Sequence, residues 1–358
     1  MRGVHIDDNA AVRAPRGYGA RGAVIGDLSA IEHLLTACDA NEPEPSYRSL
    51  FNELRAAIEE GASQPSGKAL VVVGAGGQLV GCASVRLPDY PRPVARARLA
   101  GAVHPEHRRR GIGGFLLQWA ECAAHDLFGT RHETRPRSLR ISFGGVRDDA
   151  RRLYQRHEFG IHEVTLQLRR DLGTLLLPAG QVAESPEGMM PNGSVIPAGV
   201  TIATWCPDTQ ALFYVVHAAS HTVGPEDHLA TPQEWIDDVA TDTSLRSDLS
   251  FVALDGTHPC AYVLSEVVTR EGRSVGWIWL LGVDPSYRRK GLAAALLTRV
   301  LTAFQREGLP EAGLWVDEAN TAARTLYDRL GFRVRSHLTT YAKPVHVAPS
   351  RIPATLPL

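Results

Sequence analysis

The stretch from Asp284 to Leu297, DPSYRRKGLAAALL, sets three cations directly before a glycine and then begins an apolar run of helical character. An echo of it lies 180 residues earlier, at Val103 to Leu117, VHPEHRRRGIGGFLL. Pro105 matches Pro285, Arg108 matches Arg288, Gly111 matches Gly291, and Leu116 and Leu117 match Leu296 and Leu297. A motif that recurs in register marks an internal duplication. A chain of 358 residues has length for two domains, each able to bury its own core.

Working outward, the order of elements repeats on either side of Asp171 to Gly199, a segment rich in Pro, Gly and Ser that reads as a linker. The expected division is residues 1–172, a linker at 173–198, and residues 199–358. In the first half strands are predicted at Ala23–Ile25, Ala69–Val73, Leu79–Arg86, Ala95–Val103, Leu139–Phe143 and His162–Leu168. Helices are predicted at Leu28–Ala37, Tyr47–Glu60, Gly113–Leu127 and Asp149–His157. The second half repeats the pattern, with its last strand at Leu338–Ala342. The predicted class is α/β (α+β), a mixed sheet with helices on its faces, twice over.

Composition narrows the partners. A net charge of −1 gives no global attraction to nucleic acid or anionic membranes, so the arginine runs are local features. They are short, sit at helix starts and lack the interleaved aromatics of a nucleic-acid groove. Five scattered cysteines with no CxxC pair, and no N-terminal apolar segment, indicate a reducing cytoplasm. No apolar stretch approaches the roughly 18 residues that span a bilayer, so no membrane role is expected.

Exposed N–H groups at a helix N-terminus carry partial positive charge, and a glycine there lets a ligand approach the backbone, so this turn suits a pyrophosphate. Flanking arginines add charge-assisted hydrogen bonds. The pattern Arg-x-x-Gly-x-Gly/Ala after a strand ending in Val-x-Pro resembles the acyl-CoA pyrophosphate loop of the GNAT acyltransferase superfamily. Its tandem members include mycothiol synthase-like and natural-product or antibiotic acyltransferases. Two GNAT folds in tandem would each be a mixed, mostly antiparallel sheet flanked by helices.

The resemblance implies a cofactor site at Arg108, Arg109, Arg110, Gly111, Ile112 and Gly113, after Val103. It implies a second at Arg288, Arg289, Lys290, Gly291, Leu292 and Ala293. In the family, the preceding strand splays from its neighbour at a bulge and pantetheine inserts like an extra strand. Here the main chain of Leu281, Gly282 and Val283 would hold it. The segment Asp317 to Phe332, DEANTAARTLYDRLGF, is similar to the family's Asn followed seven residues later by Tyr, placing Asn320 and Tyr327 on one helix face toward the acyl-CoA.

The implied reaction is transfer of an acetyl or longer acyl group from acyl-CoA to a primary amine of a small molecule or peptide. It needs a base for the amine, donors for the oxyanion and an acid for the leaving thiolate. Tyr327 is the assigned acid. Glu266, in SEVV, is the carboxylate available as base on the adjoining strands, and an exposed strand glutamate is an equal reading of it. In the first half Tyr154 persists, but Arg147 replaces Asn320, which places turnover in the second half and leaves the first to hold acyl-CoA or to serve structurally.

Other patterns fail on their own chemistry. Ser66–Ala69, SGKA, lacks the first glycine and the Ser or Thr of a P-loop. GAGGQL lies between two strands and reads as a hairpin turn. His217 and His221 stand four apart but have no evident third metal ligand. Two other functions stay open: an acyl-CoA-binding regulator or scaffold with little catalysis, and a transferase whose donor is a thioester on an acyl carrier protein.

Overall fold

The computed structural model describes residues 13–41, 47–59, 66–88, 93–131, 133–145, 147–173, 199–220, 231–270 and 272–345. The chain forms two compact units. One takes the residues up to Val164 and those from Leu338 onward, and the other runs from Thr165 to His337. Most of the segment read as a linker, and His221, lie outside the described residues.

The first unit begins β1 (Gly19–Gly22), α1 (Leu28–Asp39), α2 (Tyr47–Glu59), β2 (Gly67–Val73) and β3 (Leu79–Arg86). It continues β4 (Ala95–Val103), α3 (Ile112–Thr130), β5 (Arg137–Gly144) and α4 (Asp148–Arg156), and enters β6 (Gly160–Asp171). The second repeats this as β7 (Val200–Thr204), α5 (Gln210–Ser220), α6 (Pro232–Thr241), β8 (Phe251–Asp255), β9 (His258–Arg270) and β10 (Arg273–Val283). Then come α7 (Leu292–Arg306), β11 (Glu311–Asp317), α8 (Thr321–Arg329) and β12 (Arg333–Val345).

Local chemistry explains the elements. Ile31, Leu34, Leu35 and Cys38 recur at helical spacing on α1 and are all buried. On α7, Leu292, Leu296, Val300 and Phe304 make a buried stripe four residues apart. Thr231 and Glu234 close a capping box at the start of α6, with Pro232 in its first turn. GAGGQ is the β2–β3 turn, as its pattern indicates, with Gly77 at φ 81°. The first strand falls at Gly19–Gly22 instead of Ala23–Ile25. There, Ile25–Asp27 make a 3-10 turn because Asp27 accepts both the Val24 N–H (2.9 Å) and the Arg21 guanidinium (2.6 and 2.7 Å).

Each unit has a mixed, mostly antiparallel sheet with one parallel pair among the described residues. In the first, β4 runs parallel to β5, and in the second β10 runs parallel to β11. In the first unit α1 and α2 cover one sheet face, where Ile31 and Leu54 meet Cys82 and Ala102. On the other, α3 and α4 share a core with Leu99, Ile141 and Tyr341.

The last strands depart from the predicted division. Thr165–Asp171, at the end of the first half's chain, pairs antiparallel with β11 of the second unit. Leu338–Val345, counted with the second half in the sequence, pairs antiparallel with β5 of the first unit. The residues that fix it are specific. Tyr341 packs its ring 5.1 Å from that of Tyr154, and Lys343 Nζ donates to Glu121 on α3 at 2.7 Å. No helix among the described residues is long and apolar enough to cross a membrane.

Candidate active site

In the second unit β10 pairs with β9 along its length, but the register slips between Ile278 and Leu280, leaving Trp279 as an extra residue. A bulge of this kind bends the strand and increases its twist. On its other edge β10 meets β11 only over Gly276–Ile278. From Trp279 to Val283, therefore, the main chain has no strand partner on the β11 side among the described residues, and its N–H and C=O groups face an opening gap.

The strand ends in the cation-rich loop. Asp284 accepts the Ser286 N–H at 2.8 Å and caps a 3-10 turn at Pro285–Tyr287. Arg289 takes φ 62° and Gly291 φ 84°, a left-handed pair that turns the backbone sharply into α7. The first intrahelical bond is Ala295 N–H to Gly291 O (3.0 Å), so the N–H groups of Leu292, Ala293 and Ala294 point out of the helix start. Leu292 itself is buried, so it can offer only its N–H.

The cations divide their work. Arg288 Nε donates to Val283 O (3.4 Å) and its Nη2 to Ser220 O (3.2 Å), so this guanidinium ties the loop to β10 and to the end of α5. Lys290 lies 4.3 Å over the Tyr287 ring, whose hydroxyl donates to Asp255 at 2.9 Å. The charge facing a ligand thus comes chiefly from Arg289, Lys290 and the helix start.

The first unit builds the same loop. Arg109 has φ 59° and Gly111 φ 83°, Arg108 Nε donates to Val103 O (3.2 Å), and Phe115 N–H bonds Gly111 O (3.0 Å). Arg110 donates to Tyr18 Oη at 3.3 Å, and Ile112 is buried in the core. Its β4 parts from β5 after Arg98, yet pairs with β3 without any slip. The gap is a cavity of about 270 Å³ reached by Gly101–Val103, Gly111, Gly113 and Tyr154. At its edge stands Asp149. Burial opposes its ionisation, but the hydrogen bond and charge of Arg147 outweigh that and hold its carboxyl below the usual range.

The candidate acid and base of the second unit are both set in protein. Tyr327 is 6% exposed, with its ring 5.8 Å from that of Phe332, and burial pushes its phenol up to about 12, which keeps it protonated at neutral pH. No described residue hydrogen-bonds its hydroxyl. Asn320 is the N-cap of α8, its Oδ1 accepting the Ala323 N–H at 3.1 Å. An Asn at that boundary stabilises the helix by bonding an orphan donor, so it fixes where Tyr327 stands.

Glu266 lies on β9 directly opposite Trp277 and is 9% exposed. It shares a strand face with Leu264 and Tyr262, which pack against α5 and α6. Burial, then the neighbouring Asp242, raises its carboxyl above the ordinary value, while Ser244 and Arg270 pull the other way. A carboxyl so placed holds a proton more readily than an ordinary glutamate, which suits a general base.

Sequence reasoning passed over an aromatic wall beside this gap. Tyr262 lies against Gly282, so closely that a Cβ there would strike its ring and Ser220 Oγ. The Tyr262 hydroxyl bonds His217 Nδ1 at 2.8 Å, and the His217 ring stacks on Trp235 at 4.8 Å. His217 therefore belongs to this wall, and no cluster of three metal-ligating side chains occurs among the described residues. The signal available in the sequence was Gly282 itself, a strand glycine that admits close approach.

Models of known families match both halves. The acetyltransferase (GNAT) family matches residues 213–332 and an acetyltransferase (GNAT) domain matches residues 66–161. The chain is 30% identical over 312 residues to a mycothiol acetyltransferase of Geodermatophilus obscurus, covering 85% of this chain and 90% of that one. It is 31% identical over 258 residues to one of Streptomyces coelicolor, covering 72% and 74% respectively. In fold it is similar to a GCN5-related N-acetyltransferase of Sphaerobacter thermophilus (TM-score 0.68, 24% identity, 94% of this chain and 98% of that one). It is also similar to a tandem GNAT protein from the clavulanic acid biosynthesis pathway (TM-score 0.61, 18% identity, 92% and 99%). This chain belongs to the GNAT acetyltransferase family, with two such domains, and is a transferase.

Proposed function

We propose that the protein is an N-acyltransferase that moves an acyl group, acetyl first among them, from acyl-CoA to a primary amine of a small molecule or peptide. Turnover is assigned to the second unit, by direct attack in a ternary complex. The observation that carries this reading is the bulged β10, whose main chain from Trp279 to Val283, without a strand partner on the β11 side among the described residues, runs into the loop at Arg289–Ala293. An extended pantetheine arm fits such an edge as an added strand, and the helix start receives the pyrophosphate.

In this assignment Glu266 takes the ammonium proton, directly or through water. The amine lone pair then attacks the thioester carbonyl carbon, the C–S bond breaks, Tyr327 gives its proton to the departing thiolate, and the proton that the new amide nitrogen must lose returns through water to the Tyr327 phenolate. The main-chain N–H groups at the bulge serve the oxyanion. The free cysteines support a reducing, cytoplasmic compartment. The names of the relatives make the amine that mycothiol acetyltransferases acylate the first acceptor to try. The test is thiol release from acetyl-CoA across a panel of amines. A purely acyl-CoA-binding protein releases no thiol with any of them, and a Tyr327→Phe loss smaller than about tenfold removes that tyrosine from the acid's role.

A further inference from the structure

The strand Thr165–Asp171, which completes the second sheet, carries a buried cation. Arg170, opposite Ala312 on β11, is 9% exposed and donates from Nη1 to the carbonyl of Leu330, at the end of α8. Among the described residues no carboxylate pairs with it, and burial pulls its pKa below the ordinary arginine value. A guanidinium taken out of water without a counter-ion is costly, so the place it occupies calls for a reason.

That place is the seat of Tyr327. Gly331 takes φ 82°, its N–H bonds Asp328 O (3.0 Å), and the Phe332 N–H bonds Tyr327 O (3.0 Å). These two bonds make a Schellman motif, and its usual apolar contact is here the Phe332 ring against the Tyr327 ring at 5.8 Å. Leu330 O is a carbonyl that the motif does not use. Arg170 bonds it and lies against Gly331, where a Cβ would stand 3.7 Å from its Nε. A cation at a helix C-terminus also meets the negative end of the helix dipole, which offsets part of the cost of burial. The clamp therefore acts on the same turn that sets the Tyr327 ring.

The first unit builds this turn and spends its cation elsewhere. Because Trp279 is an extra residue, Arg98 answers Trp277 and Ala97 answers Gly276, and Arg86 opposite Arg98 answers Glu266 opposite Trp277. Leu139, beside Ala97, then answers Ala312, beside Gly276, and Lys343 opposite Leu139 answers Arg170. Glu158 holds the left-handed position at φ 65°, and the Phe159 N–H bonds Tyr154 O (3.0 Å). Lys343, however, donates to Glu121 at 2.7 Å and lies 3.9 Å from Glu158. In the second unit Leu301, fully buried, and Gly331 stand where these two acids would be. With neither carboxylate present, its cation goes to the helix end.

We propose that Arg170 is a positioning residue for the acid: by holding Leu330 O and the Gly331 turn it fixes the Tyr327 phenol where a departing thiolate can reach it. This rests on the assignment of Tyr327 as the acid. Proton transfer needs hydrogen-bond reach, and a displacement of about 1 Å is enough to lose much of it.

The test uses the full chain with tyrosine labelled by carbon-13 at Cζ, saturated with acetyl-CoA and observed by NMR. The resonance missing from Tyr327→Phe identifies Tyr327. In Arg170→Met that resonance is expected to shift or split while those of the other tyrosines stay in place, and in Arg170→Lys, which keeps a donor, to remain close to its original position. Thiol release with the fastest amine of the panel is expected to fall about tenfold in kcat for Arg170→Met, with KM for acetyl-CoA within about twofold. In a Tyr327→Phe background the same substitution should add less than about twofold, because no acid is left to misplace. The proposal is overturned if the Tyr327 resonance is unmoved in Arg170→Met, or if Arg170→Met costs as much in the Tyr327→Phe background as in the unaltered chain. A Tyr327→Phe loss smaller than about tenfold removes the acid and this proposal with it, whereas a full Tyr327→Phe loss beside an unmoved resonance removes the proposal alone.

Discussion

The two units carry the same loop, down to a left-handed arginine two residues before a left-handed glycine, and diverge on the other face of the sheet. In the second, β10 is bulged at Trp279, Glu266 is buried with a raised carboxyl, and Trp277 fills the space over Gly313, with the guanidiniums of Arg169 and Arg270 each 5.2 Å from the ring. In the first, β4 has no bulge, and arginine stands where Glu266 and Trp277 would be. Holding a pyrophosphate asks for main-chain donors at a helix start, which duplication preserves. Activating an amine asks for one poised carboxylate, which a single substitution removes.

The largest expected effect tests that divergence. Glu266→Gln should lower kcat/KM by about a hundredfold at neutral pH, within the usual range for a general base. Tyr154→Phe in the first unit should change it by no more than about twofold, since only the second unit is assigned turnover. Parallel steady-state assays of both variants decide the assignment, and a large loss for Tyr154→Phe would move chemistry to the first unit.

A pH profile sharpens the same point. The base must be ionised to act, and burial with Asp242 raises its pKa, so activity should fall as pH drops through a value above the ordinary carboxylate range. Asp242→Asn removes a like charge and should shift that acid limb to lower pH, while Glu266→Gln should abolish it. An unshifted limb in both variants would exclude Glu266.

Next comes packing. A Cβ at Gly276 would meet the Phe304 ring, whereas the matching position in the first unit is already Ala97. Gly276→Ala should overpack the β10–α7 contact and cost about 1–3 kcal/mol in thermal or denaturant unfolding.

The smallest effect concerns the last strand. Lys343→Met removes the bond to Glu121, although His157 Nδ1 remains 2.7 Å from that carboxylate. A loss of about 1 kcal/mol is expected, measured by unfolding of the full chain.

Much of this was legible locally. The repeated VHPEHRRRGIGGFLL and DPSYRRKGLAAALL disclose the duplication because a strand, a glycine turn and an amphipathic helix are each encoded by neighbouring residues. Glu266 was visible as a carboxylate, but its burial depends on the residues of β10 and of the 242–245 segment that the fold brings beside it. The spacing of Asn320 to Tyr327 is legible in the sequence, whereas its bond to the Ala323 N–H as cap of α8 depends on the helix beginning at Thr321.

By itself the sequence determined the family, the two loops and the order of elements, because those follow from short-range pattern. Only the tertiary structure decided that Thr165–Asp171 completes the second sheet and Leu338–Val345 the first, that Arg288 ties down the loop, and that Arg86 occupies the place of Glu266. Strand partnership and register are long-range choices, settled by which side chains find a matching surface across the sheet, and no run of neighbouring residues records them.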